Sequence, residues 1–146
     1  YINAYFKNFP GIKEYMERVK IEAREDGFVE TLFGRRIYIS GFAGGNQAMR
    51  GFAERQAINA PIQGSAADII KRVMIRIPAA LKEAGFATKM LLQVHDELIF
   101  EGPEAEATAA TALITNLMET AADPILKLAV PIVAEAGIAD SWADAH

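Results

Sequence analysis

The chain contains no cysteine in 146 residues, which excludes disulfides and thiolate metal sites. Histidine is nearly as scarce: only His95 and the terminal His146 occur, too few for a histidine-rich zinc site. No apolar run approaches the ~20 residues that a membrane-spanning helix needs, so no membrane is expected among the partners. No signal-peptide pattern opens the chain. It starts at Tyr1 without an initiator Met and reads as a portion of a longer protein. Repeats, low-complexity tracts and linkers are also missing, so residues 1–146 are expected to form a single domain. Half of the residues are apolar, which argues for a packed core and against disorder.

Charge is distributed unevenly. Through Arg76 there are 12 Lys+Arg against 8 Asp+Glu, and from Ile77 onward 3 against 11. A basic half beside an acidic half fits a polyanion-binding face next to a cation-binding region, and it equally fits ordinary charge scatter.

Hydrophobic periods outline the elements. Tyr1–Phe9 is aromatic-rich and reads as a helix ending at Pro10-Gly11. Ile12–Asp26 sets Ile12, Tyr15/Met16, Val19 and Ala23 on one helical stripe, with Gly27 as the stop. Phe28–Ser40 changes to period two around Gly34, the pattern of a β-hairpin. Gly41–Gly51, with four glycines, reads as a loop. Phe52–Ala84 is the longest helical signal. Its Ile58, Ile62, Ala66, Ile69/Ile70, Val73 and Ile77 are expected to face a core, with a bend at Pro61 and Gly64. A second hairpin covers Met90–Phe100. A helix starting at Pro103 carries Ala110, Leu113/Ile114, Leu117/Met118 and Ala121 on its buried stripe and ends by Asp123-Pro124. Val130–Ala136 is predicted to be a last strand. The order implies an α+β fold, helices packed on one face of a largely antiparallel sheet.

Two stretches carry candidate chemistry. In the second hairpin, His95-Asp96-Glu97 separates the apolar runs Met90–Val94 and Leu98–Phe100. Alternation along an extended chain puts Val94 and Asp96 on one side and His95 and Glu97 on the other, on a rigid, buried support. Neighbouring carboxylates repel unless they are solvated or neutralised, and a hard divalent cation neutralises them through oxygen ligands. A polar hairpin turn without further role has the same composition. In the long helix, Arg55, Asn59 and Gln63 recur every four residues and so stack on one face. All three donate hydrogen bonds, and the minor groove of duplex DNA presents acceptors in nearly sequence-independent positions. The solvated face of an amphipathic helix has the same pattern, although a Pro and a Gly inside Asn59-Ala-Pro-Ile-Gln-Gly64 are unusual for one. Arg35, Arg36 and Arg50 are candidate phosphate contacts. Lys71, Arg72 and Arg76 read as solubilising, and Trp142 as a packing anchor.

The blocks Glu54-Arg-Gln-Ala-Ile-Asn-Ala-Pro-Ile-Gln-Gly-Ser-Ala-Ala-Asp-Ile-Ile-Lys71 and Leu92-Gln-Val-His-Asp-Glu-Leu-Ile-Phe-Glu101 closely resemble family A DNA polymerases, in particular the bacterial ones. The resemblance extends to Tyr15-Met-Glu-Arg18, Val29-Glu-Thr-Leu32, Gly34-Arg-Arg36, Val130-Pro-Ile-Val133 and Trp142, and so covers nearly the whole chain. It implies the C-terminal part of the polymerase domain, most of the palm with its leading helices, and a cytoplasmic, nucleoid-associated protein of replication and repair. Val94-His-Asp-Glu97 matches the family's motif C. By that match Asp96 would be a ligand of the catalytic magnesium ions, Glu97 an auxiliary acid, and His95 a neighbour of the primer terminus. Arg55, Asn59 and Gln63 match residues that contact primer–template DNA, largely in the minor groove. The implied partners are that DNA and deoxynucleoside triphosphates, and the implied chemistry is nucleotidyl transfer assisted by two magnesium ions. The family's other carboxylate lies in an Asp-Tyr-Ser motif A, and no Asp-Tyr-Ser occurs here. The nucleotide-binding helix pattern is not found either. The chain alone is therefore expected to hold half of the metal site, to bind magnesium weakly, to be inactive, and to self-associate through a core face left exposed. Two other readings stand beside this one. A phosphohydrolase using His95-Asp96 as a metal pair would need more histidines, and a duplex-binding or structural fragment would need no catalysis.

Overall fold

Pro10 punctuates the first two helices. Helix α1, Ile2–Asn8, ends just before it, and α2, Pro10–Asp26, begins with it. At the first helical position the missing N–H costs nothing. At the other end Gly27 takes the left-handed conformation, φ 77°, and its N–H donates to the Ala23 carbonyl, the predicted stop. The chain continues as β1 (Phe28–Glu30), β2 (Arg36–Tyr38), α3 (Gln47–Glu83), β3 (Lys89–Val94), β4 (Glu97–Glu101) and α4 (Glu104–Glu119), with a 3-10 turn at Trp142–Asp144. This computed structural model describes residues 2–43 and 46–145. Tyr1 of the predicted first helix, Gly44 and Gly45 of the glycine-rich loop, and His146 lie outside the described residues.

The α+β class and the antiparallel pairing agree with the periodicities. The strands form two separate two-stranded sheets, β1-β2 and β3-β4. The chain divides into two compact units, Tyr1–Asp68 and Ile69–His146.

In the first unit, Ala23, Val29, Ile39, Ala53 and Ala57 form the core, with Ile37, Phe42 and Ala60 packed against it. This corrects the predicted core face in the first half of α3, whereas Val73 and Ile77 further along are buried as predicted. Ile62 is 60% exposed and Ala66 is exposed, whereas Ala53, Ala57, Gly64 and Ser65 are buried. The period was right and the face was rotated. The β1–β2 hairpin approaches too closely for isoleucine, so the small side of the helix faces inward. The start of α3 also differs. Asn46 Oδ1 accepts the Met49 N–H at 3.0 Å, an N-cap bond that begins the helix inside the predicted loop.

The second unit has larger side chains inside. Val73, Ile77 and Leu81 of α3 meet Ala110 and Ile114 of α4 and Ala121, flanked by Phe86, Leu98 and Phe100. Each fully buried side chain of the size of Val73 or Ile77 contributes about 1.5–3 kcal/mol, well above what an alanine supplies. Arg72 Nε and Arg76 Nη1 donate to the carbonyls of Ala121 and Thr120 at 3.1 and 3.0 Å. Both arginines therefore cap the end of α4 rather than serve only solubility. The predicted strand Val130–Ala136 is not formed. Val130 and Val133 are 74% and 72% exposed, and Pro131 removes a ladder donor from a segment with no paired neighbour among the described residues.

Candidate functional site

In the second unit β3 and β4 pair antiparallel, and Glu97 lies opposite Val94. The tip is therefore a two-residue turn, His95-Asp96, with Glu97 already in the strand. Simple alternation through the tip does not apply. His95 has φ 53°, a region that non-glycine residues seldom adopt and that recurs at functional sites. Gln93 Nε2 donates to the His95 carbonyl at 2.8 Å and braces the turn. His95, Asp96 and Glu97 are all exposed. The support is less buried than predicted, because a register shift between Met90 and Leu92 breaks the alternation and leaves Leu91 and Leu92 51% and 46% exposed. The opposite strand packs Leu98 and Phe100 against the core, which anchors the tip from one side.

In the first unit α3 runs unbroken through Pro61 and Gly64. Arg55, Asn59 and Gln63 lie on its exposed face, beside the exposed Phe52 and Ile62. The predicted stripe of donors is thus present on one surface, with Arg55 offering five N–H groups and the two amides two each. Behind it stands a network that sequence reasoning missed. Tyr15 Oη donates to the Ile58 carbonyl at 2.8 Å, and burial raises the phenol above its ordinary pKa of 10.0. Arg35, Asp68, Ser65 and Thr31 tie β1–β2 to the helix. No spacing rule links Thr31 or Arg35 to Ser65 or Asp68, so no sequence signal could have found them.

The candidate phosphate contacts separate in the structure. Arg35 has its guanidinium engaged with Asp68 and Gly64. Arg36 lies 4.5 Å over the Phe28 ring and bonds Glu30. Arg50 lines an open cleft of about 650 Å³ with Arg24, Phe42, Gln47 and Glu54. Trp142 is half exposed.

The sequence profile of DNA polymerase family A matches residues 1–144. The chain belongs to DNA polymerase family A. It is 51% identical over 148 residues to DNA polymerase I of Rhizobium leguminosarum and 49% identical over 146 residues to DNA polymerase I of Pseudomonas aeruginosa. Both alignments cover 100% of this chain, and the chain spans only 15% and 16% of those relatives. Among solved structures, the POL domain of Pol1 from M. smegmatis, in complex with DNA primer-template and dNTP, superposes with a TM-score of 0.91 at 43% identity, covering 99% of this chain and 25% of that one.

For a family A chain the question of metal follows directly. Asp96 and Glu97 offer oxygen donors of the hardness that magnesium prefers. Among the described residues, however, no three His, Cys, Asp or Glu side chains gather as a metal site requires. Magnesium takes about six oxygen ligands in near-octahedral array, and one exposed turn with two carboxylates does not supply them. The described residues do not by themselves fit a complete metal centre.

Proposed function

We propose that this chain is the palm portion, with its leading helices, of a single polymerase domain in a DNA-directed DNA polymerase that extends a primer 3′ end with deoxynucleotides. The reading is supported by the joint occurrence, in a family A chain, of an exposed carboxylate turn and an exposed ladder of donors. Asp96 is the ligand that this chain contributes toward magnesium, Glu97 the auxiliary acid, and His95 the neighbour of the primer terminus. Arg55, Asn59 and Gln63 bind the primer–template from its minor groove. A donor ladder suits that surface because the purine N3 and pyrimidine O2 acceptors recur at every base pair. The protein's setting is the bacterial nucleoid in the cytoplasm; among the described residues no helix is long and apolar enough to cross a membrane. A duplex-binding role without catalysis describes the isolated chain, and the incomplete donor set at Asp96 favours it there.

The test uses the full-length polymerase. Asp96→Ala is expected to lower primer extension by roughly a hundredfold or more, the scale of removing a group that acts on transition-state charge. Affinity for primer–template should stay within about twofold, because DNA affinity derives chiefly from phosphate contacts. Glu97→Ala should be milder. Equal and small effects of the two substitutions would show that the roles are misassigned.

A further inference from the structure

We infer that Arg35, acting with Asp68, is a positioning residue for the donor stripe: it clamps the β1–β2 hairpin onto the turn of α3 that carries Gln63, and so sets how Asn59 and Gln63 meet a duplex. The inference rests on the stripe being a duplex contact, as proposed above.

The need for a clamp arises from the sequence. Pro61 lies between Asn59 and Gln63 and has no N–H, so the Ala57 carbonyl loses its usual helical donor there. Helices yield at such points. The stripe thus crosses the weakest turn of α3. Bonds from the hairpin, and one within the helix itself, converge on that turn. Arg35 Nε donates to Asp68 Oδ1 at 2.7 Å, and Arg35 Nη2 donates to the Gly64 carbonyl at 3.1 Å, one residue past Gln63. Ser65 Oγ donates to the Pro61 carbonyl at 2.6 Å and accepts the Leu32 N–H at 2.9 Å. On the hairpin side, the buried Thr31 accepts the N–H groups of Phe33 and Arg35 on its Oγ1, which shapes the turn that delivers the arginine. Gly64 closes the contact. A Cβ there would lie 2.7 Å from Thr31 Cγ2 and 2.8 Å from Ile37 Cδ1. The hairpin therefore rests on the helix backbone itself, opposite the exposed Asn59 and Gln63.

The charged pair holds this arrangement with directional bonds. Asp68 has a side chain only 12% exposed, while Arg35 is 47% exposed. Arg35 could instead spend its exposed edge on a DNA phosphate, which is the competing role. Asp68 cannot take that role, since a carboxylate is repelled by phosphate, and it therefore separates the two.

The experiment is single-turnover incorporation by the full-length polymerase on matched and mismatched primer ends, with DNA affinity measured as a function of salt. The variants are Gln63→Ala, Arg35→Ala, Asp68→Ala, Asp68→Asn and the double variant Arg35→Ala/Gln63→Ala. A small misplacement of a binding group is sufficient for a large rate loss. Arg35→Ala and Asp68→Ala should both slow matched-end extension by about 10-fold and mismatched-end extension by less than about 3-fold, as expected if one or two hydrogen bonds are lost only where they were made. Asp68→Asn keeps an oxygen to accept the Arg35 Nε–H and should restore the matched-end rate to within about 3-fold of wild type. The double variant should be no slower than Gln63→Ala, because residues acting through one another are not additive. Equal slowing at both ends, multiplication of the two effects in the double variant, or no difference between Asp68→Ala and Asp68→Asn would each overturn the inference. A loss confined to Arg35→Ala, with weaker DNA binding and a shallower salt slope, would show a phosphate contact instead and overturn it as well. If Gln63→Ala itself leaves the matched-to-mismatched ratio unchanged, the stripe reading fails and the inference falls with it; a normal Gln63 effect with silent Arg35 and Asp68 variants rejects the clamp alone. Should Arg35→Ala fail to fold, the Asp68 pair carries the comparison.

Discussion

Gly64 sits inside a 37-residue helix, where glycine costs about 1 kcal/mol relative to alanine. Propensity alone favours Gly64→Ala. Packing opposes it, because the new Cβ would sit 2.7 Å from the methyl of the buried Thr31 and 2.8 Å from the end of Ile37. The isoleucine tip can rotate away. The threonine is β-branched, stiff about χ1, and held by its hydroxyl. Overpacking of this kind costs about 1–3 kcal/mol, so the helix gain is offset or exceeded. Gly64→Ala is expected to lower Tm or leave it unchanged, and Gly64→Val to lower it clearly, in thermal melts followed by circular dichroism. A rise in Tm for Gly64→Ala would show that the hairpin moves aside at little cost. The same reasoning at Gly102 reaches Thr88, whose side chain already occupies the space a Cβ would need.

At the scale of elements, Glu106 links the first turn of α4 to the start of β3. Its carboxylate accepts the Thr88 hydroxyl at 2.8 Å, the Thr88 N–H at 2.7 Å and the Ala87 N–H at 3.2 Å. The Thr88 side-chain bond is the main cause holding Glu106 below its ordinary pKa of 4.5, with the backbone bonds adding to it. A group depressed in the folded state contributes stability above its unfolded value, and that contribution fades as pH falls through the folded value. Wild type should therefore exceed Glu106→Ala in denaturant midpoint at pH 7, and the difference should shrink as pH falls below 4.5. A pH-independent difference would show that the staple acts by packing. The β3–β4 hairpin that this staple anchors ends in the His95-Asp96 turn, so the acid-sensitive bond lies at the root of the candidate catalytic strand pair.

For the whole molecule, the exposed apolar side chains decide the expectation. Leu91 and Leu92 on β3, Ile75 on α3, and Val130 and Val133 beyond α4 are all exposed. Large exposed apolar patches mark surfaces that other polypeptide covers. Purified on its own, the 146-residue chain is expected to self-associate, read as a rise in sedimentation coefficient with concentration. A monomer at all concentrations would contradict this. The same chain, with magnesium, primer–template and all four nucleotides, should give no template-dependent extension, because no three metal-ligating side chains gather among the described residues. Extension above background by this chain would refute that expectation.

Local chemistry alone determined much of this protein. Pro10, Gly27 and the change of period at Phe28 are signals within a few residues, and the first two helices and the first hairpin follow from them. The four-residue recurrence of Arg55, Asn59 and Gln63 is set by helical geometry, so their common face was legible from spacing alone. The cap at Asn46 was missed, because the neighbouring glycines gave its segment the composition of a loop. Tertiary structure decided the rest. Which face of α3 turned inward depended on how closely the β1–β2 hairpin could approach Gly64, a distance no periodicity encodes. The turn at His95-Asp96 depended on the register of two strands and on one unpaired leucine. Val130–Ala136 had strand-like composition and found no partner strand among the described residues. Arg35 read as a candidate phosphate contact, and no spacing showed that Asp68, 33 residues further along, is its neighbour. Periodicity reports which side chains share a face; only packing establishes what that face meets.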